Sequence, residues 1–291
     1  MRIFSTGFSE GFDGPGRRLV VYLKGCNLKC RWCANPESIH SCNEILYYPD
    51  RTVVSPKVCP FGAISEAGTL NREVCNKCEN YSCVRLWKNK AFELAGEDVS
   101  PQWVLQQAIR GKPLFGKNGG VTFGGGEPTL QMDELIAAID LLKENGLHTA
   151  IETNATSPRL DEMIHRIDWL ICDLKCVDVT KHREWTGQEN EIILRNLSRA
   201  ASMRKQLVIR IPMVTGFNDD EAERKRMVEY LVSINHEGLA VEILRLHHLG
   251  KCKYEALGLR YMMEGVNEPD MTIAQNFENE LKSHGLCARI G

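Results

Sequence analysis

The chain predicts an α/β fold on a mostly parallel sheet, and three observations carry that prediction. Six short β-rich runs, at residues 19–23, 120–123, 148–152, 169–173, 207–211 and 241–246, alternate with segments whose apolar residues recur at three and four. Repeated strand–helix alternation places helices outside a parallel sheet. Polar motifs follow the strand runs, where ligands sit in such sheets. Six strands do not close an eight-stranded barrel, so the sheet is expected either to curve into a partial barrel with an open side or to lie open and doubly wound.

Taken in order, the run 19–23 (Leu-Val-Val-Tyr-Leu) is apolar throughout, as a buried strand requires. Helical segments are expected at 132–145, 158–166, 191–203, 219–234 and 271–284. In the first, Leu135, Ile136, Ile139 and Leu142 form one stripe, with Asp133, Glu134, Asp140, Lys143 and Glu144 opposite. Length and a composition of 43% apolar and 25% charged residues suit one barrel-sized domain, or a barrel with a small insert. The expected division is 1–36 with 92–291 for the barrel and 37–91 for the insert. A net charge of −2 gives no field for nucleic acid, and no apolar run approaches the roughly 18 residues of a membrane span. The first residues lack the apolar core of a signal peptide, so a cytoplasmic monomer is expected.

Eight of the twelve cysteines fall between Cys26 and Cys83, and in a reducing compartment such density points to metal rather than disulfides. Cys26, Cys30 and Cys33 follow the first strand with spacing C-x₃-C-x₂-C. Three such thiolates can hold three corners of a cubane iron–sulfur cluster and leave one iron open; a zinc knuckle is the alternative, but it favours paired C-x₂-C hooks. Phe123-Gly124-Gly125-Gly126-Glu127-Pro128 follows the second strand. Its glycines permit close backbone approach. Glu152-Thr153-Asn154 and Asp173-Leu174-Lys175 end the third and fourth strands. His247 follows the sixth, within Leu246-His247-His248-Leu249-Gly250-Lys251.

In these motifs, and in Asp13-Gly14-Pro15-Gly16 and Cys33-Ala34-Asn35-Pro36-Glu37-Ser38, the chain resembles the glycyl-radical-enzyme activating enzymes of the radical SAM class, the pyruvate formate-lyase activating enzyme-like family. The resemblance implies a partial (β/α)6 barrel of the radical SAM type. It also implies a site-differentiated 4Fe–4S cluster on Cys26, Cys30 and Cys33, whose open iron takes S-adenosylmethionine. Asn35, Gly125, Gly126, Glu127, Glu152, Thr153, Asp173, Lys175 and His247 are then expected to bind that cofactor, with Gly125, Gly126 and Glu127 holding its amino end and His247 near adenosine. Asp13, Lys175 and His247 are the expected catalytic residues, with Asp13 close to the partner's glycyl loop. The family usually has Asp-Thr-Asn where this chain has Glu152-Thr153-Asn154, which bears on a monovalent-cation site there. The implied reaction is one-electron cleavage of S-adenosylmethionine, with reduced flavodoxin or ferredoxin as donor, followed by hydrogen abstraction from a glycine Cα of a partner glycyl radical enzyme. A radical SAM enzyme acting on a small molecule or nucleobase is the alternative, and an iron–sulfur electron carrier is a second.

The insert compares with bacterial ferredoxins, whose paired C-x₂-C-x₂-C-x₃-C-P runs exchange their fourth ligands. Cys59-Pro60 ends one run, whose other cysteine positions hold Ser55, Thr52 and Pro49. The second run keeps Cys75, Cys78 and, after a widened gap, Cys83, with Trp87 in its fourth position. By the exchange rule Cys59, Cys75, Cys78 and Cys83 form one complete set, for a second 4Fe–4S cluster or a zinc ion, serving electron relay or partner docking.

Overall fold

A computed structural model describes residues 1–51, 57, 59–86, 91–203 and 206–291; Thr52, Ser55 and Trp87 lie outside the described residues. The strands are β1 (Arg2–Glu10), β2 (Arg17–Leu23), β3 (Glu44–Tyr47), β4 (Phe92–Ala95), β5 (Glu97–Asp98), β6 (Gly120–Gly125), β7 (Thr149–Thr153), β8 (Trp169–Asp173), β9 (Leu207–Met213), β10 (Leu239–Arg245) and β11 (Cys287–Ile290). The helices are α1 (Arg72–Cys75), α2 (Ser82–Leu86), α3 (Pro101–Gly111), α4 (Met132–Glu144), α5 (Leu160–Ile164), α6 (Val179–Thr186), α7 (Glu191–Met203), α8 (Glu221–Ser233), α9 (Lys251–Leu257) and α10 (Met271–Ser283).

The main sheet runs β11-β10-β9-β8-β7-β6-β2-β1-β5. From β2 to β11 the pairing is parallel; β1 returns antiparallel on β2, and β5 caps that edge. The parallel strands follow chain order without a reversal. A doubly wound sheet reverses its order at a switch point, so it can bind helices on both faces. With right-handed crossovers, an unreversed order puts every helix on one face and leaves the other concave, the arrangement of a barrel. The two outermost strands, β11 and β5, do not pair, so the barrel stays partial.

Alternation along the strands separates the two faces. Ile151, Leu170, Cys172, Leu207, Ile209, Val241 and Ile243 pack outward into the helix layer, against Leu135, Ile139, Leu142, Leu197, Leu231, Phe277 and Leu281. The register instead aligns Asp173 with Arg210, Arg210 with Glu242 and Glu242 with Arg289 as one charged row on the inner face. Central parallel strands are normally apolar on both faces, so this row marks the inner face as a working surface.

Several elements carried signals weaker than the six runs. β1 (RIFSTGFSE) is a half-exposed, polar-studded strand near the sheet edge. α3 begins with Ser100 accepting a hydrogen bond from the Trp103 amide at 3.1 Å, and Pro101 sits in its first turn. The helix expected at 158–166 shortens to Leu160–Ile164. β3 and β4 pair as a separate two-stranded sheet, and Ile45, Tyr47, Ala63, Ile64, Cys75 and Phe92 build a small core beside it. Among the described residues no helix is long and apolar enough to cross a membrane.

Candidate functional site

The C-terminal strand ends open into one cavity of about 310 Å³. Cys26, Cys30 and Cys33 line it together with Asn35, Gly125, Gly126, Asp173, Lys175 and His247. The loop that carries the cysteines is bound along its length. Gly25 and Cys26 donate to Ser38 and Ile39 carbonyls at 2.7 and 2.9 Å, while Lys29 and Arg31 donate to Thr186 and Trp185 of α6 at 2.7 and 3.1 Å. Tyr254 of α9 donates its hydroxyl to the Cys33 carbonyl at 3.0 Å.

The glycine loop closes on the cysteine loop. The Gly126 amide donates to Leu23 and the Glu127 amide to Gly25, at 2.9 and 2.7 Å. A Cβ on Gly126 would lie 2.2 Å from the Gly25 oxygen, so only glycine lets these backbones meet. Burial pushes the thiols of Cys26 and Cys30 up to about 12 and that of Cys33 up to about 11. Thiols in this state lose their protons to a metal centre rather than to water. Among the described residues no three His, Cys, Asp or Glu side chains converge as a single-ion site would require. A cubane asks for one thiolate per iron and for open space between the thiolates. Three thiols around one cavity, with no disulfide among them, fit that request.

The rest of the cavity suits a zwitterion with an apolar body. Lys175 donates to Asp173 at 2.7 Å. Burial works to lower the Lys175 ammonium, but Asp173 and Cys30 outweigh it and hold the group raised and charged. Leu28, Trp32, Pro212 and Leu246 supply apolar wall. His247 is exposed at the rim, its Nδ1 accepting from the Leu249 amide at 3.4 Å. His248 is taken by the Tyr261 hydroxyl at 2.8 Å.

Four nominated residues stand outside the cavity wall. Glu127 is fully buried, and its carboxylate accepts from the Thr129 amide (3.0 Å) and hydroxyl, the Thr153 hydroxyl (2.8 Å) and the Asn154 amide (2.7 Å). Its side chain, with that of Thr153, therefore ties the β6 and β7 ends together beneath the cavity instead of facing a ligand. Glu152 accepts from Arg210 Nη1 at 2.6 Å, and Arg210 Nε reaches Glu242 at 2.7 Å. Burial, against the pull of Arg210, pushes the Glu152 carboxyl up to about 8. With Glu152 bound to Arg210 and Asp173 to Lys175, the carboxylates here do not fit a monovalent cation. Asp13 lies in the turn before β2, outside the cavity wall, and its charge helps to raise Glu152 and Tyr22. Its carbonyl accepts from Thr122 at 2.6 Å, and the buried Arg18 guanidinium donates to Thr122 (2.6 Å) and the Pro15 carbonyl (3.1 Å).

Of the wall residues that were not nominated, Asn154 and Arg210 are tied to the site by their polar contacts. Asn154 donates to Asn27 at 3.0 Å and points its amide at Cys26 Sγ, 3.9 Å away. Arg210 lines the cavity from the inner charged row. Asn154 closes a motif already singled out; Arg210 is one polar residue in an apolar strand, and only its row gives it meaning.

Comparison with known proteins follows this geometry. The Radical SAM superfamily model matches residues 20–227. A 4-hydroxyphenylacetate decarboxylase activating enzyme of Clostridioides difficile is 32% identical, covering 99% of this chain and 95% of its own. A choline trimethylamine-lyase activating enzyme of Oleidesulfovibrio alaskensis is also 32% identical, over 90% of this chain and 89% of its own. The crystal structure of a domain of pyruvate-formate lyase-activating enzyme from Bacteroides vulgatus superposes with a TM-score of 0.50 at 31% identity, covering 60% of this chain and 99% of that one.

Proposed function

The chain belongs to the radical SAM superfamily, and within it to the glycyl-radical-enzyme activating enzymes; from that membership we propose that it installs a glycyl radical in a partner enzyme by reductive cleavage of S-adenosylmethionine. One observation carries the reading: the three spaced cysteines and the polar ends of several parallel strands share a single cavity. A 4Fe–4S cluster held by Cys26, Cys30 and Cys33 would supply one electron to the sulfonium and an open iron for the amino and carboxylate groups.

The chain's own residues orient the bound molecule and keep water out. Lys175, fixed by Asp173, meets a carboxylate. Trp32, Pro212 and Leu246 cover the apolar part, with His247 at the adenosine end. With the cluster and S-adenosylmethionine bound, one electron from a reduced flavodoxin or ferredoxin would supply the chemistry that cleaves the sulfonium and removes a hydrogen from a glycine Cα, leaving methionine, 5′-deoxyadenosine and a glycyl radical. The open side of the partial barrel is where the partner's loop would reach in, with Asp13, its carbonyl held by the Thr122 hydroxyl, as the residue expected near that loop.

The proposal extends to residues 37–91 as an insert with one further 4Fe–4S cluster. Cys59, Cys75, Cys78 and Cys83 line one small, closed cavity with Ile45, Ala63, Ile64 and Phe92. The Ala63 amide donates to Cys59 Sγ at 3.4 Å, the kind of contact that tunes cluster sulfur.

The test is anaerobic incubation with reductant, S-adenosylmethionine and candidate glycyl radical enzymes. A glycyl EPR doublet with stoichiometric 5′-deoxyadenosine is the expected result. Deoxyadenosine formed only with a small molecule would move the protein to the alternative class.

A further inference from the structure

We propose that Lys253 is a positioning residue for the cofactor cavity: it turns the Asn35 side chain so that its NH₂ end faces the bound molecule. The inference rests on the reading that this cavity takes S-adenosylmethionine.

Asn35 stands in the wall between two cavities. One is the cofactor cavity. The other, of about 390 Å³, lies between β1–β2 and the β3–β4 pair, and only there do Glu37 and Lys253 join the lining. Lys253, in the first turn of α9, donates to Asn35 Oδ1 at 2.7 Å and to Glu37 Oε1 at 2.6 Å. A lysine ammonium has three donors and no acceptor, so the Asn35 atom it meets must be the oxygen. The oxygen is thereby drawn toward the second cavity, and the NH₂ end is left on the cofactor side. Among the described residues no protein atom is recorded accepting from that NH₂. The cofactor atom it serves is therefore an acceptor, such as a carboxylate oxygen, a ribose oxygen or a purine nitrogen.

The surroundings hold Lys253 in place. Glu37 is 5% exposed, and its second oxygen is buried without a partner among the described residues, so the ammonium is the counter-charge that makes Glu37 tolerable there. The neighbouring Tyr254 hydroxyl holds the Cys33 carbonyl. Gly250 lies so close to Ala34 that an added Cβ would sit 2.9 Å from its Cα. The start of α9 thus clasps residues 33–37, and Lys253 acts through Asn35 without needing to touch the cofactor.

Lys253→Met keeps the bulk and removes the donors; Lys253→Arg keeps them; Asn35→Asp removes the NH₂. After anaerobic reconstitution, iron content and the EPR spectrum without S-adenosylmethionine report the cluster alone. Titration with S-adenosylmethionine, followed by the change in that spectrum, reports affinity. Lys253→Met and Asn35→Asp are expected to bind about tenfold more weakly, with iron content and the starting spectrum unchanged, and Lys253→Arg to stay close to the parent. Unchanged affinity in either weakened variant overturns the proposal. So does loss of iron in Lys253→Met, which would make the role one of holding the loop. A parent protein that binds no S-adenosylmethionine would instead bring down the reading of the cavity itself, and this inference with it.

Discussion

At the scale of single residues, Glu127 shows how a motif residue and a ligand-facing residue differ. The Gly-Gly-Glu sequence is easily found, but its carboxylate is filled by Thr129, Thr153 and Asn154. Spacing identifies the loop; only packing shows that this side chain faces the scaffold. Glu127→Gln would place an amide donor opposite the donors now satisfied. A buried mismatch of that kind costs about 1–3 kcal/mol, so urea melts should show lower stability, together with weaker S-adenosylmethionine binding as the β6 and β7 ends separate. Asn154 depends on the same carboxylate through its amide, so its aim at Cys26 should be disturbed too.

Gly126 makes a second point at this scale. Its close approach to Gly25 joins the glycine loop to the cysteine loop, independently of any ligand. Gly126→Ala is expected to lose about 1–3 kcal/mol through overpacking. Iron content after reconstitution should fall with it, because the loop bearing Cys26 must shift.

At the scale of elements, the proposed insert and the barrel meet at α9. Arg72 of α1 donates to the Ile45 carbonyl at 2.5 Å and to Ala256 at the end of α9. The other end of α9 clasps the cysteine loop. Each cysteine set has its own cavity, so the proposed second cluster should assemble separately from the first. Cys75→Ala with Cys78→Ala is expected to lower iron from about eight to about four per chain, while the S-adenosylmethionine-dependent EPR change persists. Loss of that change would mean that the insert supports the catalytic loop through Arg72 and α9.

Legibility at this scale followed local chemistry. Six of the seven parallel strands and the long amphipathic helices stood out because each carries its pattern within a few residues. β1, β5 and β11 did not, since edge pairing asks little of a sequence. α3 was not expected, although Ser100 caps it, Pro101 opens it, and Val104 and Ala108 give it a buried face.

At the scale of the whole molecule, stability should respond to acid through His182. It is buried in α6, with Nδ1 2.6 Å from the Gln188 carbonyl and Nε2 without a partner among the described residues. Burial lowers it to about 4 from an ordinary 6.5. The unfolded chain therefore takes up a proton below about pH 6.5 that the folded protein refuses until about pH 4. Stability is complete above that window and falls as pH drops through it, by up to about 3 kcal/mol. Chemical denaturation at pH 7, 6 and 5 should show the decline, and His182→Gln should flatten it. Since α6 carries the carbonyls that hold Lys29 and Arg31, acid should also loosen the cysteine loop.

The sequence by itself determined the chemistry of the cluster loop, the alternation of strand and helix, and the placement of polar motifs after strands. Each of these is written in neighbouring residues. Only the tertiary structure decided that the sheet winds one way, that Arg210 claims Glu152, and that Lys253 reaches Asn35 from 218 positions away. Crossovers of a parallel sheet bring distant strand ends to one rim, and which side chains pair there depends on register and burial, which no local pattern records.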